Sequence, residues 1–446
     1  MLPQMGRDGL HSLLSAIEQI DFDVRVDGFG EVDHFLGDER GDVAVDRQHG
    51  MVGQQQLGRP GTLGRRMPPE EGVSRPVVTP IQPSVVYASP DIDTLHAQYE
   101  GGAQGYTYAR EGHPNAALLA RKIDLLERAE GGLVTGSGMS AVTAAIMGLL
   151  GAGDHIIGAD QLYGRSLRLM HQDLARFGID TTVVDPTDAA ALRAAIRPET
   201  KMILVEVVSN PTLRVADMAG ICAVAREAGV RLAVDNTFTT PIGYRPFDHG
   251  ADIVIHSVTK LLAGHSDVTL GYVAAQDAGD AKAIYDFAVT TGLTPSPYEC
   301  WLAERGLTTF PLRFDRAEAT ARMLADWLAD QPKVARVLYP GRADHPDHAR
   351  ARALLGGRDG NMLSFAIDGD AAAANRMVQA MPEMAFAPTL GDVGTTLSHP
   401  ASSSHRGLTP EGRAALGISD GFFRVSVGIE DADLLRADFA AGLAAV

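Results

Sequence analysis

From about residue 115 onward the chain alternates between two hydrophobic periods. Leu119, Ile123 and Leu126 share one face of a helical repeat, with Asn115 ahead of the run and Gly131-Gly132 behind it. That spacing predicts an amphipathic helix capped by Asn115 and closed by glycine. Short apolar runs at 133–134, 155–157, 182–184, 202–208, 231–234 and 253–256 read as strands, and helical patterns at 141–150, 165–177, 188–197 and 217–228 lie among them. Strand–helix alternation with short links predicts βαβ units, hence an α/β domain with a mainly parallel sheet covered on both faces. Past Pro311 the texture changes to a long helical stretch at 312–328 and strands near 334–338, 361–367 and 422–427, a second and smaller α+β block.

Upstream the pattern is weaker. Residues 1–70 are rich in Gly, Asp, Arg and Gln, contain no Lys and show apolar periodicity only around 10–20. They are expected to form a poorly ordered tail, in which Met51 and Met67 stand as alternative starts. The run Pro76-Val77-Val78-Thr79-Pro80-Ile81-Gln82-Pro83 belongs to an extended arm, residues 71–112, that cannot fold alone and is expected to lie against a neighbouring subunit. The expected organisation is therefore tail 1–70, arm 71–112, α/β domain 113–311 and C-terminal α+β domain 312–446.

Charge and composition narrow the function. Lys plus Arg number 39 against 56 Asp plus Glu, so 39 − 56 gives −17, which argues against nucleic acid or an anionic membrane as the partner. Two cysteines, Cys222 and Cys300, leave no disulfide framework or Cys-based zinc site. No apolar run approaches the ~18 residues of a membrane span, and no signal peptide is apparent. The expected compartment is the cytoplasm. The lysines are Lys122, Lys201, Lys260, Lys282 and Lys333, so nearly all positive charge is arginine. Each lysine therefore raises the question of what only an amine can do: lose its proton and form a Schiff base.

Three segments answer it together. Gly136-Ser137-Gly138-Met139-Ser140-Ala141 follows a strand and opens a helix, where backbone amides can approach a phosphate. The run 230–234 ends in Asp235-Asn236, an acid at a strand's carboxyl end, where open α/β sheets place ligands. The run 252–256 ends in Ser257-Val258-Thr259-Lys260. A phosphate cradle, an acid for a protonated ring nitrogen and an amine for an aldehyde are the inventory for pyridoxal phosphate. Read alone, the glycine segment equally suits a nicotinamide dehydrogenase, which leaves Asp235 and Lys260 unexplained. A non-catalytic protein on the same fold would be expected to have lost one of the set.

Ser257–Lys260 with Gly264-His265-Ser266 resembles the lysine signature of the Cys/Met-metabolism pyridoxal-phosphate enzymes, a family that includes cystathionine γ-synthase, the cystathionine lyases, methionine γ-lyase and the O-acylhomoserine sulfhydrylases. Further matches run in order from 75 to 446: Tyr106-Thr107-Tyr108-Ala109-Arg110, Tyr163-Gly164, Asn210-Pro211-Thr212, Asp235-Asn236-Thr237, Ser398-His399-Pro400 and Arg424-Val425-Ser426-Val427-Gly428. The resemblance implies a fold-type I, aspartate-aminotransferase-like architecture, with 113–311 as the pyridoxal-phosphate-binding domain. It implies that Lys260 holds the cofactor's aldehyde and moves protons, that Asp235 faces the ring nitrogen and that Tyr163 stacks on the ring. Gly138, Met139, Ser257 and Thr259 would bind the phosphate, Asn210 would join the cofactor shell, and Arg424 with Thr389 would take the substrate carboxylate. Tyr108 and Arg110 would reach the phosphate of a neighbouring subunit, making a homodimer the smallest active unit, expected to pair into tetramers. The implied chemistry is elimination or replacement at Cγ or Cβ of sulfur amino acids or O-acylhomoserines, of the γ-synthase or sulfhydrylase kind, with the lyases as the alternative.

Departures from the family pattern bear on the choice. Leu261 stands where an aromatic residue is common, and Glu206-Val207-Val208-Ser209-Asn210 lacks the usual proline. Pro388 and Gly394 occupy positions at which cystathionine enzymes commonly carry acids, and Arg165 stands where methionine γ-lyases carry cysteine. His345 and His348 are expected to be solvated at a helix start, and His265 to orient the loop after Lys260.

Overall fold

The computed structural model describes residues 73–446, and the expected tail 1–70 with its 10–20 periodicity lies outside the described residues. Strands β1 (Leu133–Thr135), β2 (His155–Ala159), β3 (Asp180–Val184), β4 (Thr200–Glu206), β5 (Arg231–Asp235), β6 (Ile253–Ser257) and β7 (Gly271–Ala275) form one sheet in the order β1-β7-β6-β5-β4-β2-β3. Neighbours from β3 through β6 are parallel, while β7 is antiparallel to both β6 and β1. The sequence reading missed β7, because Gly271-Tyr272-Val273-Ala274-Ala275 is a short apolar run without alternation, buried at every position. From β2 the chain steps outward to β3, then returns past β2 to β4, β5 and β6. That reversal opens a crevice at the carboxyl ends of β2 and β4, the place where such sheets accept ligands.

A smaller sheet follows. Strands β8 (Val334–Leu338), β9 (Met362–Ile367), β10 (Ala385–Phe386), β11 (Thr396–Ser398) and β12 (Phe422–Ser426) pair in the order β10-β11-β12-β9-β8, antiparallel except for β10 with β11. Alternation along the strands separates two faces. Phe365 and Phe423 stack at 5.5 Å and pack with Leu324, Leu328, Met377 and Phe439 from helices Phe310–Ala329, Ala371–Gln379 and Ala432–Ala444. The intervening Ser364 and Arg424 reach the loop after β4, where Ser364 Oγ donates to the Pro211 carbonyl at 2.7 Å. Pro76–Val446 is one compact unit. The expected boundary at 311/312 falls inside the first turn of helix Phe310–Ala329, whose Phe310 and Phe314 join a core beside β7 while Ala321 to Leu328 join the core of the smaller sheet.

Several local expectations change in three dimensions. Helix Pro114–Glu127 is capped by His113, whose Nδ1 accepts the Ala116 N–H at 3.2 Å, with Pro114 opening the first turn. Its end is the left-handed Arg128 rather than glycine. Asn115 instead anchors the arm: it accepts the Gln82 N–H at 2.9 Å and donates to the Pro80 carbonyl at 3.0 Å. Trp301 Nε1 donates to the Thr79 carbonyl at 2.8 Å. The arm thus lies partly on its own chain, while Val77, Val78, Val85 and Val86 face outward. The helical run at 165–177 is a succession of α (Gly164–Arg168), π (Leu169–Asp173) and 3-10 (Leu174–Phe177) turns, which an apolar repeat cannot tell apart because each is only four or five residues long. His345 is buried rather than solvated, and its Nδ1 accepts the Asp347 N–H at 3.1 Å.

Asn115→Ala removes the two side-chain bonds that hold the Gln82 N–H and the Pro80 carbonyl of the arm. It should lower stability by about 1–3 kcal/mol in urea unfolding and expose residues 76–82 to limited proteolysis. Unchanged stability and cleavage would mean that the Trp301 contact alone anchors the arm.

Candidate active site

Covering a parallel sheet with helices on both faces leaves strand ends as the place for polar side chains. Glu206, Asp235 and Ser257 are the last residues of β4, β5 and β6, and Glu206 is in direct register with Asp235. They line a cavity of about 260 Å³ together with Gly138, Met139, Tyr163, Asn210, Thr237, Thr259, Lys260, Pro388, Leu390 and Arg424. Of the residues singled out in the sequence, the fold therefore gathers Lys260, Asp235, Tyr163, Gly138, Met139, Asn210, Ser257, Thr259 and Arg424. Thr389 joins them through its hydroxyl, which accepts from Lys260 Nζ at 3.3 Å. Tyr108 and Arg110 do not line this cavity. They are exposed on the arm, with the Arg110 guanidinium 5.4 Å from the Tyr108 ring centre and Arg110 Nη1 donating to the Val289 carbonyl at 3.3 Å.

The anion cradle is built by a cap and a close approach. Ser137 caps helix Gly138–Leu149, its Oγ accepting the Ser140 N–H at 3.0 Å and its carbonyl the Ala141 N–H at 3.1 Å. The amides of Gly138 and Met139 remain without partners among the described residues, at the positive end of the helix. A Cβ on Gly138 would meet Ser257 Cβ at 2.7 Å, so glycine is what lets the helix start meet the end of β6. The Ser257 hydroxyl has no partner among the described residues, whereas Thr259 Oγ1 bridges the Leu270 N–H (3.0 Å) and carbonyl (3.2 Å).

Each charged group is held and tuned. Thr237 donates to Asp235 Oδ1 from its hydroxyl (2.5 Å) and its amide (3.1 Å), and its Oγ1 accepts the Ser257 N–H at 2.8 Å. Burial raises the Asp235 carboxyl, opposed by the Thr237 bonds and by His256, so a cation facing it would restore the charged form. Glu206 accepts the Tyr163 N–H at 2.7 Å, its second oxygen is buried without a partner, and burial followed by Asp235 pushes its carboxyl well up. Burial, then the Arg424 charge, pulls the Lys260 amine below its ordinary range. Arg424 donates to Asn210 Oδ1 (2.8 Å) and to the Thr389 carbonyl (2.7 Å), and burial pushes it down to about 10, still charged at neutral pH. Of five guanidinium donors these bonds use two, and the buried Nε has no partner among the described residues.

Sequence reasoning missed two contributors. Glu206 stood inside the apolar run read as a strand over 202–208, whereas β4 ends at Glu206 and so sets its carboxylate at the strand end as Asp235 is set. Thr237 lay two positions past Asp235, the spacing of a side chain–backbone turn.

A parallel-sheet crevice holding a lysine whose amine is depressed by burial, a buried acid, two free amides at a helix start and a buried arginine fork defines a pyridoxal-phosphate enzyme acting on an amino acid. The unpartnered Ser257 hydroxyl, Glu206 oxygen and Arg424 Nε fit that group with a carboxylate-bearing substrate. Residues 65–444 match the family described as Cys/Met metabolism PLP-dependent enzyme. The L-methionine gamma-lyase of Pseudomonas putida is 38% identical over 363 residues, 81% of this chain and 91% of that protein. The O-succinylhomoserine sulfhydrylase of Pseudomonas aeruginosa is 40% identical over 350 residues, 78% of this chain and 86% of that protein. The crystal structure of cystathionine gamma synthase from Xanthomonas oryzae pv. oryzae in complex with cystathionine superposes with a TM-score of 0.77 at 36% identity, covering 82% of this chain and 93% of that one. The chain belongs to the Cys/Met-metabolism pyridoxal-phosphate-dependent enzymes, and its cofactor is pyridoxal 5'-phosphate. Among the described residues no helix is long and apolar enough to cross a membrane.

Arg424→Gln removes one of the two causes that depress Lys260. The ammonium is then less penalised and keeps its proton to higher pH, so the Lys260 titration should move upward while staying below that of a solvated lysine. With only five lysines, carbon NMR of labelled lysine in the cofactor-free chain resolves this. A midpoint that stays fixed or falls would mean that Arg424 does not act on the amine.

Proposed function

We propose that the enzyme catalyses replacement at Cγ of an O-acylhomoserine by a small sulfur nucleophile such as sulfide, the sulfhydrylase reaction. The observation that carries this is the composition of the cavity wall. Its acids are Glu206 and Asp235 at the strand ends, whereas the edge beside Thr389 is formed by Pro388 and Leu390. A distal ammonium such as that of cystathionine would meet apolar surface there and lose its hydration without a partner. The ester end of an acetylhomoserine carries no charge, whereas a succinyl ester ends in a carboxylate that the same wall would leave unpaired. The same wall suits the thioether of methionine, which supports γ-elimination as a second reading.

The cofactor, when bound, supplies an electron sink for the substrate carbon that loses its proton. The chain's own residues do the remainder. Lys260 carries the cofactor's aldehyde, and its depressed amine is suited to take a proton from substrate Cα and pass it on. Asp235, fixed by Thr237, faces the ring nitrogen, and Tyr163 covers the ring and takes part in proton transfer. The amides of Gly138 and Met139 with Ser257 and Thr259 receive the phosphate. Arg424, oriented by Asn210 and the Thr389 carbonyl, offers its remaining donors to the substrate carboxylate. Tyr108 and Arg110 serve the phosphate of a second subunit, so that a homodimer is the minimal active unit and pairs of dimers complete a tetramer. Their exposure on the arm, away from their own chain's cavity, supports this assignment.

Borohydride reduction of the yellow holoenzyme should fix the cofactor on Lys260, and peptide mapping to another lysine would defeat the site. A steady-state panel should rank O-acetylhomoserine with sulfide first, methionine elimination lower and cystathionine last. Cystathionine turnover at equal or higher kcat/KM would overturn the apolar-wall argument. Mixing Arg110→Ala with Lys260→Ala chains should regenerate activity, since one site in each heterodimer then carries both native residues. Proven subunit exchange without recovery would put Arg110 and Lys260 in the same chain's site.

A further inference from the structure

Lys260 is followed by a turn with an unusual electrostatic partner. The carbonyls of Leu261, Leu262 and Ala263 accept no backbone N–H among the described residues. They converge instead on one buried guanidinium, that of Arg313 in the first turn of helix Phe310–Ala329. Its Nη1 donates to the Leu261 carbonyl at 2.9 Å, and its Nη2 to those of Leu262 (3.0 Å), Gly306 (2.9 Å) and Ala263 (3.5 Å). Its Nε donates to Thr309 Oγ1 at 3.1 Å. Arg313 makes no ion pair among the described residues; Asp392 acts on it only through space, and burial pushes it down to about 10, so it stays charged at neutral pH. Gly264, at φ +78°, closes the turn against it, where a Cβ would lie 1.9 Å from Nη1.

The turn is gripped from its other side as well. The Val393 N–H donates to the Gly264 carbonyl at 2.8 Å, and a Cβ on Gly391 would meet the Leu261 nitrogen at 2.5 Å. Internally the Ala263 N–H reaches the Val258 carbonyl (3.0 Å), the Gly264 N–H reaches that of Lys260 (2.8 Å), and His265 Nδ1 donates to the Ala263 carbonyl (2.7 Å). A cation facing several carbonyl dipoles favours the geometry that points them together, as a basic side chain does at the end of a helix.

We propose that Arg313 is a positioning residue for the cofactor lysine: by gathering the carbonyls of residues 261–263 and 306, it sets the backbone of the Lys260 turn in advance, so that the amine stands beside Thr389 before any cofactor arrives. This rests on the assignment of the cofactor to Lys260. The planar fork matters more than the charge, because a lysine ammonium is a compact point donor that cannot span the same fan of carbonyls. The role is geometric, since the groups that shift the Lys260 amine are its burial and Arg424, not Arg313.

The test combines hydrogen exchange with kinetics in the full-length chain. In the wild type, the Ala263 and Gly264 amides should exchange slowly both with and without cofactor. If they become protected only when cofactor binds, the turn is not set beforehand and the proposal fails. In Arg313→Lys these amides should exchange faster in the cofactor-free chain, cofactor affinity should fall, and kcat should drop on the order of tenfold to a hundredfold. KM should change little because the Arg424 fork is intact, and Arg313→Met should lie further along the same order. A variant with wild-type kcat and cofactor affinity but a lower Tm would make Arg313 a support of the fold only. Should neither variant fold, the wild-type exchange comparison decides. Borohydride mapping in the same samples separates the two claims: label away from Lys260 defeats the lysine assignment, and label on Lys260 with unaltered exchange and kinetics defeats only the role of Arg313.

Discussion

The 2.8 Å hydrogen bond from Arg424 to Asn210 ties the smaller sheet to the crevice of the larger one. A buried guanidinium must find acceptors, and this one finds the Asn210 side chain after β4 and the Thr389 carbonyl before β11. Its demand for partners therefore fixes both segments at once. Thr389, held in this way, presents its hydroxyl to Lys260 Nζ. The donors that Arg424 has left over face the same cavity as the strand ends. The seam between the sheets and the Arg424 end of the pocket are thus one set of contacts, supported nearby by Ser364 on the Pro211 carbonyl.

The other end of the pocket is governed by two carboxylates on adjacent strands. Glu206 and Asp235 stand in register, and both are raised chiefly by burial. Two neighbouring buried acids favour ionisation of at most one unless a cation joins them. Asp235 is the one supported by donors, from the Thr237 hydroxyl and amide, whereas Glu206 receives only the Tyr163 N–H. This inequality suits Asp235 to carry the charge toward a cationic ring and Glu206 to hold the segment bearing Tyr163.

Family membership gives the cofactor and the class of chemistry; the apolar edge of the pocket bears on which member of the family this is. Relatives of similar identity include a methionine gamma-lyase and a sulfhydrylase, so overall likeness does not separate these reactions. The discriminating surface is small. In the proposed reading the apolar Pro388 and Leu390 offer no partner to a second ammonium, while Lys260 and Asp235 line the cavity whichever of these reactions applies.

The large sheet, the second block and most of the site were legible in the sequence because their signals are local. Lys260 and Asp235 each follow an apolar strand directly, and the Gly138 turn sits between a strand and a helix, so a short window carries both the element and its chemistry. Other assignments depended on distant partners. Asn115 resembled a helix cap until the arm was found on it; His345 looked solvated until the fold buried it; Arg313 was one arginine among many on an amphipathic stretch. Glu206 lay within a run read as strand to 208, and its place beside Asp235 followed only when β4 and β5 paired in register. Periodicity and motif specify elements and the chemistry at their ends, since these follow from backbone geometry within a few residues. Which carbonyls surround a guanidinium, or which acid lies beside another, depends on contacts between residues from 29 (235 − 206) to more than 200 positions apart, such as Glu206 with Asp235 and Arg424 with Asn210, and only packing determines them.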